Sequence, residues 1–314
     1  MGRNLKYQFK YAIEQSCRMG ADKHSMKRNN ANNGNMKART LSYADRKNLI
    51  DVSSNFSNWM RENHSDIKEL KDITSNHVQE FLNDKAKTCT SATVEQYQSK
   101  FSKLEALVNS TYTNANVSYT NTVTPVSSNN TGQLRSKSIT DSDYNKLNNY
   151  MSENCRSQNA MKALQLSYHA GLRVSECAKL QQRDIRINND GTATVHVADS
   201  KGCRSRDVYI VSRDSVQALA ELRDSVQSPY DRIVPIQSES INRSINRAMD
   251  RCGMQQYRSC KTSVHSVRKS FAQREYDRYK EEGLEPKEAW DRVSEELGHG
   301  RDRGDLYKVY IENK

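Results

Sequence analysis

His169-Ala-Gly171-Leu-Arg173-Val-Ser-Glu176-Cys-Ala-Lys-Leu180 is the stretch, residues 169–180, on which the reading of the fold turns. The run before it, AMKALQLSYHA (160–170), reads as a buried helix, and Gly171 is the residue type that ends one. Arg173 sits just past that break, where it can project into a cleft instead of along a helix flank. Downstream, TATVHVADSKGCRSRDVYIV (192–211) alternates like two short strands around a basic turn at Lys201-Gly202, the pattern of a hairpin. Helical periodicity then predicts helices at Asp214–Val226, Ser240–Arg251, Val264–Lys280 and Pro286–Leu297. Upstream, SITDSDYNKLNNYM (138–151) opens with a Thr or Ser cap and an acidic first turn. Residues 138–314 are therefore expected to form one mainly α domain with a small β-hairpin or sheet.

Further out, residues 110–137 are rich in Ser, Thr and Asn and have no helical period, so 111–137 reads as a linker or an irregular β-excursion and marks the domain boundary. Before it, Leu49, Ile50, Val52, Phe56 and Trp59 recur at helical steps. Thr74 or Ser75 can cap a short helix carrying Val78, Phe81 and Leu82, and Tyr97, Phe101, Leu104 and Leu107 share the face of a third. Residues 41–110 thus read as a small all-α domain. Residues 1–40 hold nine Lys or Arg against Glu14 and Asp22, which is most of the net charge of +11. They end in an Asn-rich run and read as a basic arm, for which a polyanion is the expected partner.

Several classes are excluded. No apolar run approaches the ~20 residues of a spanning helix, and the first residues lack the apolar core of a signal peptide. The seven cysteines are scattered, with no C-x-x-C pair and no zinc spacing, so reduced thiols in a cytoplasmic protein are expected.

The residues that carry chemistry lie in 138–314: Arg173; Lys201; His265 and Arg268, three apart on one helix face; Gly298-His299; and the late tyrosines Tyr307 and Tyr310. Singly, each has a bland account as a surface pair, a solvated turn, a helix cap or a packing ring. In this order they make up a phosphoryl-transfer set. Two arginines can hold non-bridging phosphate oxygens by charge-assisted bonds. A lysine or histidine can protonate a leaving alkoxide, and a tyrosine can carry the phosphate covalently. No Asp/Glu cluster suited to two-metal catalysis accompanies them.

Over residues ~139–314 the chain resembles the tyrosine recombinase (phage-type integrase) catalytic domain, through GLRVSE, SKG…R-x-V, HSVRKSFA and LGH. Residues 41–110 look like that family's helical core-binding domain, by pattern only. The resemblance implies a two-domain, C-shaped DNA clamp. It implies that Arg173 and Arg268 bind phosphate, that Lys201 protonates the 5′-hydroxyl leaving group, that His265 assists proton transfer and that His299 hydrogen-bonds the phosphate. Glu176 would support Arg173 from behind. The family commonly places its nucleophile nine residues after the LGH histidine, whereas Tyr307 and Tyr310 lie eight and eleven after His299. Tyr310 is favoured, because GRDRGD (300–305) reads as a lengthened turn and Leu306 and Val309 supply the apolar pattern ahead of it.

The implied activity is site-specific DNA recombination through a 3′-phosphotyrosine and a Holliday junction, for integration or excision of a mobile element. A homotetramer on duplex DNA is implied, with DNA-bending accessory proteins as possible partners and no membrane, metal or other cofactor. The implied setting is cytoplasmic and nucleoid-associated, for a prokaryotic or phage-encoded protein. Alternatives that keep the chemistry are a type IB topoisomerase-like or telomere-resolving enzyme. Alternatives that drop it are a non-cutting DNA-binding regulator and an RNA- or membrane-surface-binding protein.

Overall fold

A computed structural model describes residues 4–21, 38–127, 137–154, 158–198, 205–258 and 263–312. The chain divides into two compact units, residues 1–133 and 134–314. Among the described residues no helix is long and apolar enough to cross a membrane.

Among its described residues the first unit is built on helices and has no β-strand. Helix α1 (Leu5–Gln15) is capped by Asn4, whose side chain accepts from the Tyr7 amide, and α2 (Tyr43–Asn63) by Ser42 in the same way. Helix α3 (Ser75–Thr88) starts at a Thr74–His77 capping box, and α4 (Ser91–Thr111) follows after two residues. Phe56 anchors the core, edge-on to Phe101 at 4.9 Å and to Phe81 at 5.2 Å between ring centres.

Two parts of this unit differ from the sequence division. The basic arm expected at 1–40 contains α1, whose Leu5, Phe9, Ala12 and Ile13 are buried in the same core as Phe56. Apolar burial, not charge, decides the place of those residues. The linker expected at 111–137 is packed over its first half. Val117 and Tyr119 are buried, Asn109 brackets Val117 with two hydrogen bonds, and the Glu105 carboxylate accepts from the Tyr119 and Thr120 amides.

The second unit begins with α5 (Asp141–Asn154), α6 (Asn159–Ala170) and a single turn, α7 (Val174–Cys177). Three antiparallel strands follow in the order β1 (Ile185–Ile187), β2 (Ala193–Val197), β3 (Arg206–Ile210), with Val195 opposite both Ile185 and Val208. Strands β2 and β3 are the expected hairpin, and β1 adds an edge that the sequence reading lacked. Helices α8 (Arg213–Asp224), α9 (Ser238–Arg251), α10 (Val264–Glu281) and α11 (Pro286–Glu296) lie within two residues of their expected bounds. A short α12 (Gly304–Tyr310) carries both late tyrosines. Helix α6 is buried along most of its length, so its C-terminal end opens into the middle of the unit.

Candidate active site

Two left-handed glycines build the site. Gly171 closes α6 at φ 61°, and a Cβ there would lie 2.4 Å from the Phe271 ring, so both backbone and space require glycine. Gly298 follows α11 at φ 71°, and a Cβ there would meet Arg206 at 2.9 Å. Each turn aims a helix's last carbonyls inward, and these are acceptors at the negative end of a helix dipole.

Arg268, on α10, spans the two turns. Its guanidinium donates to the Gly171 carbonyl from one terminal nitrogen and to the Leu297 carbonyl from the other. The residue is only 1% exposed, and burial pulls its pKa down to about 10, which leaves it charged at neutral pH. Its Nε has no hydrogen-bond partner among the described residues.

Glu176 is the counter-charge. Its Oε1 accepts from Arg173 Nη1 at 2.8 Å and Arg206 Nη1 at 3.0 Å. Its Oε2 accepts from the Arg173 amide and from Arg206 Nη2, both at 2.8 Å, with Arg268 at 3.9 Å. Burial pushes this carboxyl upward, but the hydrogen bonds from Arg206 and the charges of Arg268 and Arg206 outweigh it and hold the pKa at about 2. Arg173 thus leaves α6 with its backbone and its guanidinium both fixed by one carboxylate.

His299 Nε2 lies 3.1 Å from the Tyr310 hydroxyl and 3.4 Å from Arg173 Nη2. Burial, and then the charges of Arg268 and Arg173, push this imidazole down to about 3, so it is neutral at physiological pH. A guanidinium only donates, so its contact requires an unprotonated Nε2, with the ring proton on Nδ1. The Tyr310 hydroxyl reaches the same lone pair at the shorter distance. His265, one turn ahead of Arg268, sets its ring edge-on to Tyr310 with centroids 5.1 Å apart. The Arg268 guanidinium lies 6.0 Å from the centre of the Tyr310 ring.

Tyr307 shares Trp290 with Tyr310, whose ring lies 6.1 Å from it, but its other neighbours differ. Its hydroxyl donates to the Tyr276 hydroxyl at 3.3 Å, and its ring packs against Trp290 and Tyr276 at 5.7 Å. The turn of α12 between the two tyrosines therefore sends one ring toward the arginines and the other into an aromatic cluster. After Tyr310, Ile311 is buried, and Glu312 accepts from the Ser138 amide while its own amide donates to Gln273.

Arg173, His265, Arg268, His299 and Tyr310 are thus brought together, and Lys201 lies outside the described residues. Arg206, quoted in the hairpin motif but given no role, belongs to the same cluster. The signal for it was present in the alternation of β3, where Arg206 shares a face with the buried Val208 and Ile210. A cation on the buried face of a strand needs a buried partner. Among the described residues no group of three or more His, Cys, Asp or Glu is placed to hold a metal ion.

The sequence model of the phage integrase family matches residues 137–293. No match was found among curated proteins. Among solved structures, the chain is similar to the XerH site-specific recombinase bound to a palindromic difH substrate, in its post-cleavage complex. The TM-score is 0.64 at 16% identity, over 99% of this chain and 91% of that one. It is also similar to a lambda integrase tetramer bound to a Holliday junction, with TM-score 0.60 at 17% identity over 92% and 80% of the two chains. A third is the Tn1549 transposon integrase with circular intermediate DNA, with TM-score 0.58 at 13% identity over 100% and 96%. At such identities these likenesses concern the fold.

Proposed function

Since the chain belongs to the phage integrase family, we propose that it breaks and rejoins DNA at specific sites, with Tyr310 as the nucleophile and Arg173, Arg268, His265 and His299 around the phosphate. The observation that carries this reading is the Tyr310 hydroxyl, 3.1 Å from His299 Nε2, on a ring whose centre lies 6.0 Å from the Arg268 guanidinium. The Tyr310 oxygen attacks phosphorus in line and becomes bonded to it as the 5′-oxygen leaves. This conserves the bond energy as a 3′-phosphotyrosine, so the reverse attack by a 5′-hydroxyl reseals the strand without ATP. Arg173 and Arg268, whose Nε has no partner among the described residues, take the non-bridging oxygens. Lys201 is the donor to the departing 5′-oxygen, a role that rests on the family resemblance of the SKG motif alone.

The state of His299 bears on the order of events. In the free protein its pKa of about 3 makes it a poor base toward Tyr310. Burial is the larger cause of that depression, and a bound phosphodiester offsets the part that the arginines add, which raises the basicity of Nε2 toward the tyrosine's proton. Nucleophile activation is in this way coupled to DNA binding.

The tetramer on a Holliday junction seen for lambda integrase and the circular intermediate bound by the Tn1549 integrase support a homotetrameric assembly acting on a mobile element. Accessory bending proteins belong to the same proposal. The test is a suicide DNA substrate, nicked beside the cleavage point and incubated without magnesium. Wild type and Tyr307→Phe are expected to give a denaturant-resistant protein–DNA adduct and Tyr310→Phe none. Loss in Tyr307→Phe alone would move the nucleophile. Absence of an adduct on DNA that wild type binds would replace the reading with that of a non-cutting DNA-binding protein.

A further inference from the structure

Resting on the strand-transfer reading, we propose that Arg206 is a positioning residue for the reaction, setting Arg173 through Glu176 and His299 through the Gly298 turn. Arg206 uses its whole donor fork in two directions. Two parallel bonds, at 3.0 and 2.8 Å, run to the two oxygens of Glu176, and Nε donates at 2.6 Å to the carbonyl of Glu296. The side chain is 9% exposed and its Nη1 lies 2.9 Å from where a Cβ on residue 298 would be.

Each end of that fork holds something the chemistry uses. Glu176, pinned on both oxygens, is what orients the backbone and guanidinium of Arg173. The Glu296 carbonyl belongs to the last residue of α11, and the next two residues, Leu297 and Gly298, lead straight into His299. The Leu297 carbonyl in turn holds Arg268. Because Arg206 opens β3, it ties the sheet to both halves of the phosphate site, and it touches neither Tyr310 nor His299 by any described hydrogen bond.

Loss of the fork frees a buried carboxylate to swing between Arg173 and Arg268 and loosens the turn that carries His299. A displacement of ~1 Å at such a distance from the reacting atoms reduces turnover on the order of 100-fold. Lysine is not an adequate substitute, since one ammonium cannot meet two carboxylate oxygens and a carbonyl in this geometry.

The test compares wild type, Arg206→Met, Arg206→Lys, Glu176→Gln and the Arg206→Met/Glu176→Gln double variant. Single-turnover cleavage of the suicide substrate and Kd for the same DNA are measured separately, with a thermal transition recorded for each protein. Arg206→Met is expected to cleave about 100-fold more slowly with Kd within about threefold of wild type. Arg206→Lys, which keeps the charge and so the better chance of folding, is expected to stay about tenfold slow. If Arg206 acts through Glu176, the double variant cleaves no more slowly than the slower single variant. Wild-type rates in both Arg206 variants, or fully multiplicative losses in the double variant, would overturn the inference while leaving the recombinase reading intact. No adduct with wild type would overturn both.

Discussion

Glu296 offers a test of the electrostatics that needs no DNA. The residue is 6% exposed, its Oε1 accepts from the Tyr279 hydroxyl at 2.6 Å, and its Oε2 has no partner among the described residues. Burial raises its pKa most. The Tyr279 bond opposes this and the charge of Glu275 adds to it, so that the carboxyl titrates at about 7 instead of 4.5. Between pH 4.5 and 7 the folded protein keeps a proton that the unfolded chain releases. Stability therefore falls as pH rises through that window and levels off above it. The displacement is worth about 3 kcal/mol at pH 8 relative to pH 4.5. Glu296→Gln removes the titration and keeps the acceptor for Tyr279, and its added N–H group costs about 1–3 kcal/mol at every pH. The variant is thus expected to gain about 3 kcal/mol on wild type between pH 4.5 and pH 8. Urea unfolding at a series of pH values measures this. It is done in a Trp59→Phe background, so that Trp290, the other of the chain's two tryptophans, reports on the second unit. A stability difference that stays constant across this range would refute the assignment of a buried, uncompensated carboxyl.

Two further substitutions probe the same unit. Glu176→Gln is expected to destabilise it by about 3 kcal/mol at pH 7, because a carboxyl held at about 2 contributes stability that is fully present above pH 4.5 and lost as pH falls through 2. The difference from wild type in urea unfolding should therefore shrink between pH 4.5 and pH 2. Gly171→Ala places a Cβ 2.4 Å from Phe271 at φ 61°, so a loss of about 2–4 kcal/mol is expected, read as a lower melting temperature. Slower cleavage should accompany it, because the Gly171 carbonyl holds Arg268.

The parts of this protein legible in its sequence are those in which one local rule decides. Gly171 after an apolar helix, the alternation of residues 192–211 and the Thr74 cap each need only neighbours to be read. Strand β1 escapes because three residues, Ile185 to Ile187, are too few to show a period. Helix α1 escapes because its apolar stripe of Leu5, Phe9, Ala12 and Ile13 is diluted by the lysines between them when charge is summed over forty residues. In the site, residue types and order were readable, since the chemistry dictates them. The partner of Arg206 was not, because Glu176 lies thirty residues away and is met only when β3 packs beside the end of α6. The choice between Tyr307 and Tyr310 depends on where a turn with Gly300 and Asp302 in left-handed conformations delivers the first residue of α12. Spacing alone leaves that open.

The charge balance of the cluster bears on why catalysis here can run in both directions. Three guanidiniums, Arg173, Arg206 and Arg268, face the single carboxylate of Glu176, which leaves two positive charges. His299, held at about 3, adds none. A DNA phosphodiester carries one negative charge, and so does the phosphotyrosine that replaces it. The pentavalent state between them, formed as the tyrosine's proton leaves, carries close to two. The described side chains thus leave two uncompensated positive charges, to which Lys201 adds another in the proposed mechanism, and such a surplus favours the doubly charged transition state over the singly charged substrate and product. Were His299 protonated in the free protein, a further charge would deepen the wells on either side and slow release of the rejoined strand. In the proposed mechanism, burying the imidazole among arginines keeps its charge out of the ground states, and His299 becomes charged only while it holds the tyrosine's proton.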